Sequence, residues 1–101
     1  MGKYTGIWEA QLSVIKEAIK KGGDSMDMNS SAFMVAGNRP NSGYSFRLDI
    51  KDAVIPTKKG SAVARDLKAV LDKDIEFKKM VEKKSIVIRM SKDFKLEILV
   101  G

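Results

Sequence analysis

Cysteine and histidine are both absent from this sequence of 101 residues. Without cysteine the chain has no disulfide, no thiolate metal ligand and no cysteine nucleophile, and this absence fits a reducing compartment. Without histidine it lacks the commonest general base and the commonest metal ligand, so a zinc site or a Ser-His-Asp triad cannot be built from this chain alone. We therefore expect no catalytic residues, no bound metal and no cofactor.

Long apolar runs are also missing. No stretch approaches the roughly 20 apolar residues that cross a bilayer, and the N-terminal segment lacks the uninterrupted apolar core of a signal peptide. Gly2 invites a myristoylation interpretation, but Gly6 stands where that motif requires Ser or Thr. These absences predict a cytoplasmic protein with no membrane partner.

The residues that are present have a globular composition, with 44% apolar and 32% charged residues. The length fits one domain, residues 1–101, which can bury a core without disulfides or metals. The formal net charge is +6. Residues 1–57 hold seven Lys/Arg and six Asp/Glu, a balance of +1, whereas residues 58–101 hold twelve and seven, a balance of +5. The basic C-terminal part predicts either a polyanion-binding surface or simple solubility.

Two segments show the apolar spacing of amphipathic helices. The first spans about residues 5–21, with Thr5 as the predicted N-cap and Gly22-Gly23 as the stop signal. Its apolar stripe consists of Trp8, Leu12, Ile15 and Ile19. The second spans residues 61–82, either as one helix or as two pieces broken near 72–75, and a strand at "DIEFKKM" is the less favoured alternative. Its inner face consists of Val63, Leu67, Val70 and Leu71.

Strict alternation of apolar and polar residues predicts a strand at 44–50. Its apolar face consists of Tyr44, Phe46, Leu48 and Ile50. A shorter strand at 32–36 is predicted to pair with it across a turn at 37–43, which is rich in Gly, Asn, Pro and Ser. Residues 22–31 predict a polar loop that carries two methionines.

The C-terminal segment, residues 83–101, predicts a β-hairpin. A three-residue loop, Ser91-Lys92-Asp93, places the apolar residues of both strands on one face. Asp93 is then the predicted left-handed residue of the loop. The predicted cross-strand pairs are Met90 with Phe94, Ile88 with Leu96, Ile86 with Ile98 and Arg89 with Lys95.

The elements therefore follow the order α-β-β-α-β-β, which predicts an α+β fold. Two amphipathic helices would cover one face of a mainly antiparallel four-stranded sheet and form a two-layer sandwich. The predicted shared core consists of Trp8, Leu12, Ile15, Leu67, Val70, Ile88, Leu96 and Ile98.

No motif in the sequence predicts catalysis. The stretch "GNRPNSG" lacks the lysine and the Ser/Thr that follow the last glycine of a phosphate loop. The carboxylate pairs Asp49/Asp52 and Asp72/Asp74 do not have the arrangement of an acid/base or magnesium site. The stretch "PTKKGS" combines lysines with a helix start, and it predicts either a site for one phosphate or a solvated loop.

Two functions fit these observations. The first is a small non-enzymatic nucleic-acid-binding module that contacts the phosphate backbone of DNA or structured RNA, in part through the polar face of the C-terminal hairpin. Its predicted binding residues are Lys58, Lys59, Lys68, Lys78, Lys79, Lys83, Lys84, Arg89, Lys92 and Lys95. The alternative is a protein-interaction module, an inhibitor or adaptor, that docks by a sheet edge or by a loop bearing methionines. The methionines in question are Met26, Met28 and Met34. An exposed strand edge would also allow a homodimer.

Overall fold

A computed structural model of the chain describes residues 2–28, 45–56, 62–91 and 93–101. The predicted strand at 32–36 and its turn at 37–43 lie outside these ranges. Within them the elements are α1 (Thr5–Lys20), β1 (Gly23–Asp27), β2 (Phe46–Lys51), α2 (Ala62–Lys73), α3 (Ile75–Met80), β3 (Ser85–Met90) and β4 (Lys95–Val100).

The four described strands form one antiparallel sheet in the order β1-β4-β3-β2, and the helices pack on one of its faces. The predicted α+β fold and the order α-β-β-α-β-β are confirmed. Seven of the eight predicted core residues are buried in one cluster, and Leu12 packs against that cluster while half-buried. No helix in the described ranges is long and apolar enough to span a membrane.

The strand β1 lies where the sequence predicted only a polar loop, so the prediction for residues 22–31 is wrong in this part. Its sequence "GDSMD" has little intrinsic preference for a strand. It forms because its backbone pairs with β4, with Met26 opposite Leu96. Gly23 begins the strand with a φ of 122°, and a Cβ placed there would lie 2.9 Å from the carbonyl oxygen of Ile98.

The N-terminus of α1 differs from the prediction at its cap. Thr5 is the first helical residue and is 5% exposed, and Tyr4 occupies the N-cap position without a side-chain capping bond. Instead, the backbone N–H of Tyr4 donates to the Asp66 carboxylate at 2.8 Å. The start of α1 is therefore held by α2, a contact that local sequence signals do not encode.

The second predicted helix is divided at Asp74, which confirms the two-piece alternative and contradicts the strand alternative. Asp74 has extended backbone angles and accepts a hydrogen bond from the backbone N–H of Phe77 at 2.7 Å. It thus ends α2 and caps α3 at its N-terminus. Phe77 and Val81 are both fully buried and belong to the same core cluster as the inner face of α2.

The C-terminal hairpin forms, but its predicted register is wrong by two residues. Ile88 pairs with Ile98 and not with Leu96, and Arg89 pairs with Glu97 and not with Lys95. The remaining predicted pairs, Met90 with Phe94 and Ile86 with Ile98, are replaced by Met90 with Leu96 and Ile86 with Val100. A shift of two residues leaves every side chain on its original face, so the alternation of polar and apolar residues could not distinguish the two registers.

The hairpin loop is displaced by one residue. The backbone N–H of Ser91 donates to the carbonyl oxygen of Lys95 at 3.0 Å, so three residues separate the closing pair. Phe94, with a φ of 60°, is the left-handed residue, which corrects the prediction for Asp93. The Ser91 hydroxyl accepts from the backbone N–H of Lys95 at 3.1 Å, and the Phe94 side chain is fully buried. These two contacts favour the observed loop.

Candidate polyanion-binding surface

The sheet has an outer face, which is the face opposite the helices. Every second strand residue contributes to it, and none of these residues is buried. Val87 and Leu99 lie directly opposite each other within this face and form its apolar part. The other members are Gly23, Ser25, Asp27, Arg47, Asp49, Lys51, Ser85, Arg89, Lys95 and Glu97. The outer face therefore mixes both signs of charge.

The two arginines of the outer face already have carboxylate partners. Arg89 Nε lies 3.0 Å from Oε1 of Glu97, the residue directly across from it in β4. Arg47 Nε lies 3.0 Å from Asp49 Oδ1 on the same strand. The predicted pair of like charges, Arg89 opposite Lys95, is therefore wrong, and an ion pair stands in its place. A phosphate approaching Arg89 would compete with the Glu97 carboxylate.

The other predicted binding residues do not all join this face. Lys95 is exposed at the start of β4, opposite Asp27. Lys84 precedes β3 and is in step with the core-facing Ile86, so strand alternation does not place it beside Arg89. Lys68 is half-buried and bonds to Asp72, one helical turn further along α2. The remaining predicted residues that lie outside the described ranges are Lys58, Lys59 and Lys92.

Five lysines lie on segments that meet at the end of the sheet where β2 ends and β3 begins, or that lead into it from α3. Lys51 closes β2 opposite Ser85, and the backbone N–H of Asp52 donates to the carbonyl oxygen of Lys84 at 3.1 Å. We call the following residues the lysine cluster: Lys51, Lys78, Lys79, Lys83 and Lys84. Lys78 is half-buried and the other four are exposed.

None of the five has a carboxylate within ion-pair distance, although every Asp and Glu of the sequence lies in the described ranges. On the same elements and turns, Asp49 and Glu76 are already paired with Arg47 and Lys16, and Asp52 and Glu82 are exposed. The cluster therefore presents uncompensated positive charge on adjoining segments. Lys95, an exposed lysine without an ion pair, begins β4 and therefore lies at the opposite end of the sheet.

The backbone beside the lysine cluster has an uncommon conformation. Residues 51–54 form a two-residue hairpin turn in which Lys51 and Val54 exchange backbone hydrogen bonds of 3.3 and 2.9 Å. Its central residues, Asp52 and Ala53, have φ values of 52° and 65°, and Lys83 has a φ of 58°. For a residue with a Cβ this left-handed conformation costs roughly 1–2 kcal/mol. Backbone strain of this kind is concentrated at functional sites in many proteins. This end of the sheet is therefore a candidate binding site.

An ion-pair network positions α3, which carries two lysines of the cluster. Lys16 Nζ lies 2.8 Å from Asp74 Oδ2 and 3.1 Å from Glu76 Oε1. The hydrogen bond to Asp74 raises the pKa of Lys16, against a smaller effect of desolvation. Desolvation favours a higher pKa for Asp74, but the hydrogen bonds from Lys16 and from the Phe77 backbone outweigh it and hold that pKa below its usual value. Both groups are therefore charged at neutral pH and tie α3 to α1.

Lys51 was not among the residues predicted from the sequence. The alternation of polar and apolar residues predicts that Lys51 lies on the polar face of β2. Its position beside Lys83 and Lys84 depends on the pairing of β2 with β3, which this alternation does not predict. In the described ranges no group of three or more His, Cys, Asp or Glu side chains could hold a metal ion. Comparisons with protein-family models, with curated proteins and with solved structures found no match to this chain.

Proposed function

We propose that this protein is a non-enzymatic nucleic-acid-binding module whose lysine cluster contacts the phosphate backbone. The observation that carries this proposal is the contrast in charge compensation between the two basic regions. Arg47 and Arg89 on the outer face are paired with carboxylates, whereas the five lysines of the cluster are not. When unpaired lysines contact phosphates, they displace the counterions that are condensed on the nucleic acid. The release of these counterions is the main source of affinity for the backbone.

The arrangement of the cluster supports the proposal because the lysines are held by defined elements. Lys78 and Lys79 end α3, Lys83 and Lys84 follow in the turn to β3, and Lys51 ends β2. The hydrogen bond from Asp52 to Lys84 joins the two chain segments. Backbone contacts of this kind position a nucleic acid without reading its sequence.

The alternative, a protein-interaction module, draws less support from the methionines. Met28 is 3% exposed and belongs to the core, and Met26 is half-buried and packs against it. Met34 lies outside the described ranges. Two of the three predicted contact residues thus serve the fold, and within the described ranges the sheet edges are what supports this alternative.

The test compares two double variants that remove the same charge. Binding of duplex DNA and duplex RNA is measured by fluorescence anisotropy at several salt concentrations, for wild type and for Lys83→Gln with Lys84→Gln. We expect the double variant to bind more weakly and the slope of log K against log salt to flatten by about two units, about one for each lost phosphate contact.

The matched control is Lys3→Gln with Lys95→Gln. Both residues are exposed and free of ion pairs. Lys95 begins β4, whereas the lysine cluster adjoins the end of β4. Lys3 precedes α1, whose 16 residues span about 24 Å and lead to Gly23, which pairs with Leu99 near the end of β4. Both control lysines are therefore distant from the cluster. An equal effect of both double variants would mean that net charge and not the cluster drives binding. No binding by wild type near about 50 mM salt would overturn the proposal and favour a protein partner.

A further inference from the structure

The turn at residues 51–54 presents an apolar side chain beside the lysine cluster. Val54 is 68% exposed, whereas the next residue, Ile55, is 6% exposed and belongs to the core. Ile75 is similarly exposed at 72%, but it stands between the carboxylates of Asp74 and Glu76. Leu99, near the end of β4, is less exposed at 42%, so Val54 is the more exposed of the two apolar residues that lie beside Lys51 and the turn before β3.

The position of Val54 relative to the lysines is fixed by the backbone. Two hydrogen bonds with Lys51 close the turn, and the bond from Asp52 to Lys84 holds the turn against the neighbouring one. Ile55 anchors the chain in the core immediately after the turn. A rigid contact residue loses little conformational freedom on binding, so its contacts contribute more to affinity.

The aromatic residues indicate which form of nucleic acid this surface suits. Single-strand binders stack bases on exposed aromatic rings. Every aromatic side chain in the described ranges is instead buried or half-buried, and the half-buried ring, that of Phe46, packs edge-on against Trp8 with centroids 6.1 Å apart. No exposed ring is available in these ranges for stacking beside the lysine cluster.

Resting on the proposed function, we infer that the ligand of the lysine cluster is a double-stranded nucleic acid and that Val54 enters one of its grooves. Phosphates line both edges of a groove, so lysines on either side of the turn can reach them while Val54 faces the groove. Groove floors offer apolar partners, such as sugar carbons and thymine methyl groups, to a small apolar side chain. A lipid surface would require a broad apolar patch around the lysines, whereas this end of the described chain presents Val54 in the turn and the partly exposed Leu99 on the outer face of the sheet.

The test uses Val54→Thr, which keeps the branched shape and makes it polar, and Val54→Ala, which removes two methyl groups. At fixed salt we expect about fivefold to tenfold weaker binding to duplex DNA or RNA. The salt slope should stay unchanged because Val54 neutralises no phosphate. Ile75→Thr is the matched control, with similar exposure and the same change in polarity, and it should bind like wild type.

The outcomes separate this inference from the proposed function. If Lys83→Gln with Lys84→Gln weakens binding but both Val54 variants bind duplexes like wild type, the proposed function stands and the role of Val54 is refuted. Tighter binding of single strands than of duplexes, or binding of anionic vesicles in place of duplexes, overturns the duplex assignment. Weaker binding to both DNA and RNA duplexes supports contact with a groove shared by both, and weaker binding to one of them identifies the duplex that is recognised.

Discussion

Replacing lysine by glycine should have opposite effects on stability at two positions of the lysine cluster. Lys83 has a φ of 58°, whereas Lys79 lies in α3 with helical geometry. Both side chains are exposed and neither forms an ion pair, so each substitution removes one charge from the same cluster. The backbone conformation is therefore the main difference between the two sites.

At Lys83 the substitution relieves the left-handed strain, worth about 1–2 kcal/mol. Glycine also adds about 0.4–1 kcal/mol of unfolded-state entropy, which opposes this gain. We expect Lys83→Gly to raise the free energy of unfolding by about 0.5–1 kcal/mol, which raises Tm by about 2–6 °C for a domain of this size. At Lys79 glycine has only its helix penalty, so Lys79→Gly should lower the free energy of unfolding by about 1 kcal/mol.

Urea and thermal unfolding followed by circular dichroism measure both variants. Loss of stability in Lys83→Gly comparable to that in Lys79→Gly would refute the left-handed assignment and with it the geometry of the turn before β3. Under the proposed function, Lys83→Gly should also bind nucleic acid more weakly although it folds more stably. The strained lysine would then be retained for binding at the expense of stability.

Three further predictions concern the fold. Leu96→Ala should cost about 2–5 kcal/mol in urea unfolding, because the side chain is fully buried, and a loss under about 1 kcal/mol would contradict that placement. Asp74→Ala should cost about 0.5–2 kcal/mol by removing the cap of α3, whereas Asp74→Asn keeps the cap and loses only the ion pair with Lys16. Because the pKa of Asp74 is held below its usual value, its contribution is present at neutral pH and lost as the pH falls below about 4, so acid titration of Asp74→Asn should show a smaller loss over that range. Gly23→Ala should cost more than about 1 kcal/mol, since its Cβ would meet the carbonyl oxygen of Ile98, and unchanged stability would exclude that close approach.

Residue spacing alone determined the helical segments, β2 and the two strands of the C-terminal hairpin, and which side of each faces the core. Trp8 and Ile15 on α1 and Ile88 and Ile98 on the hairpin are all buried, because a period of about 3.6 or 2 residues assigns faces without reference to any partner. The division at Asp74 was one of the two helical alternatives that the sequence left open, with a break predicted near 72–75. Spacing failed for β1, whose residues become a strand only through pairing with β4.

The candidate site could be predicted from the sequence less completely than the fold, because it depends on contacts between segments that are distant in the chain. The sequence identified the lysines of 78–84, and the i, i+4 spacing of Lys68 and Asp72 already contained their pairing. The partner of Arg89 required the true hairpin register, and alternation fixes the face of a strand residue but not its opposite neighbour. The proximity of Lys51 to Lys84 required the pairing of β2 with β3, two strands with a helical segment between them in the chain. For Arg89 and for Lys51, the neighbours that decide their surroundings are distant in sequence, and only the folded chain brings those neighbours together.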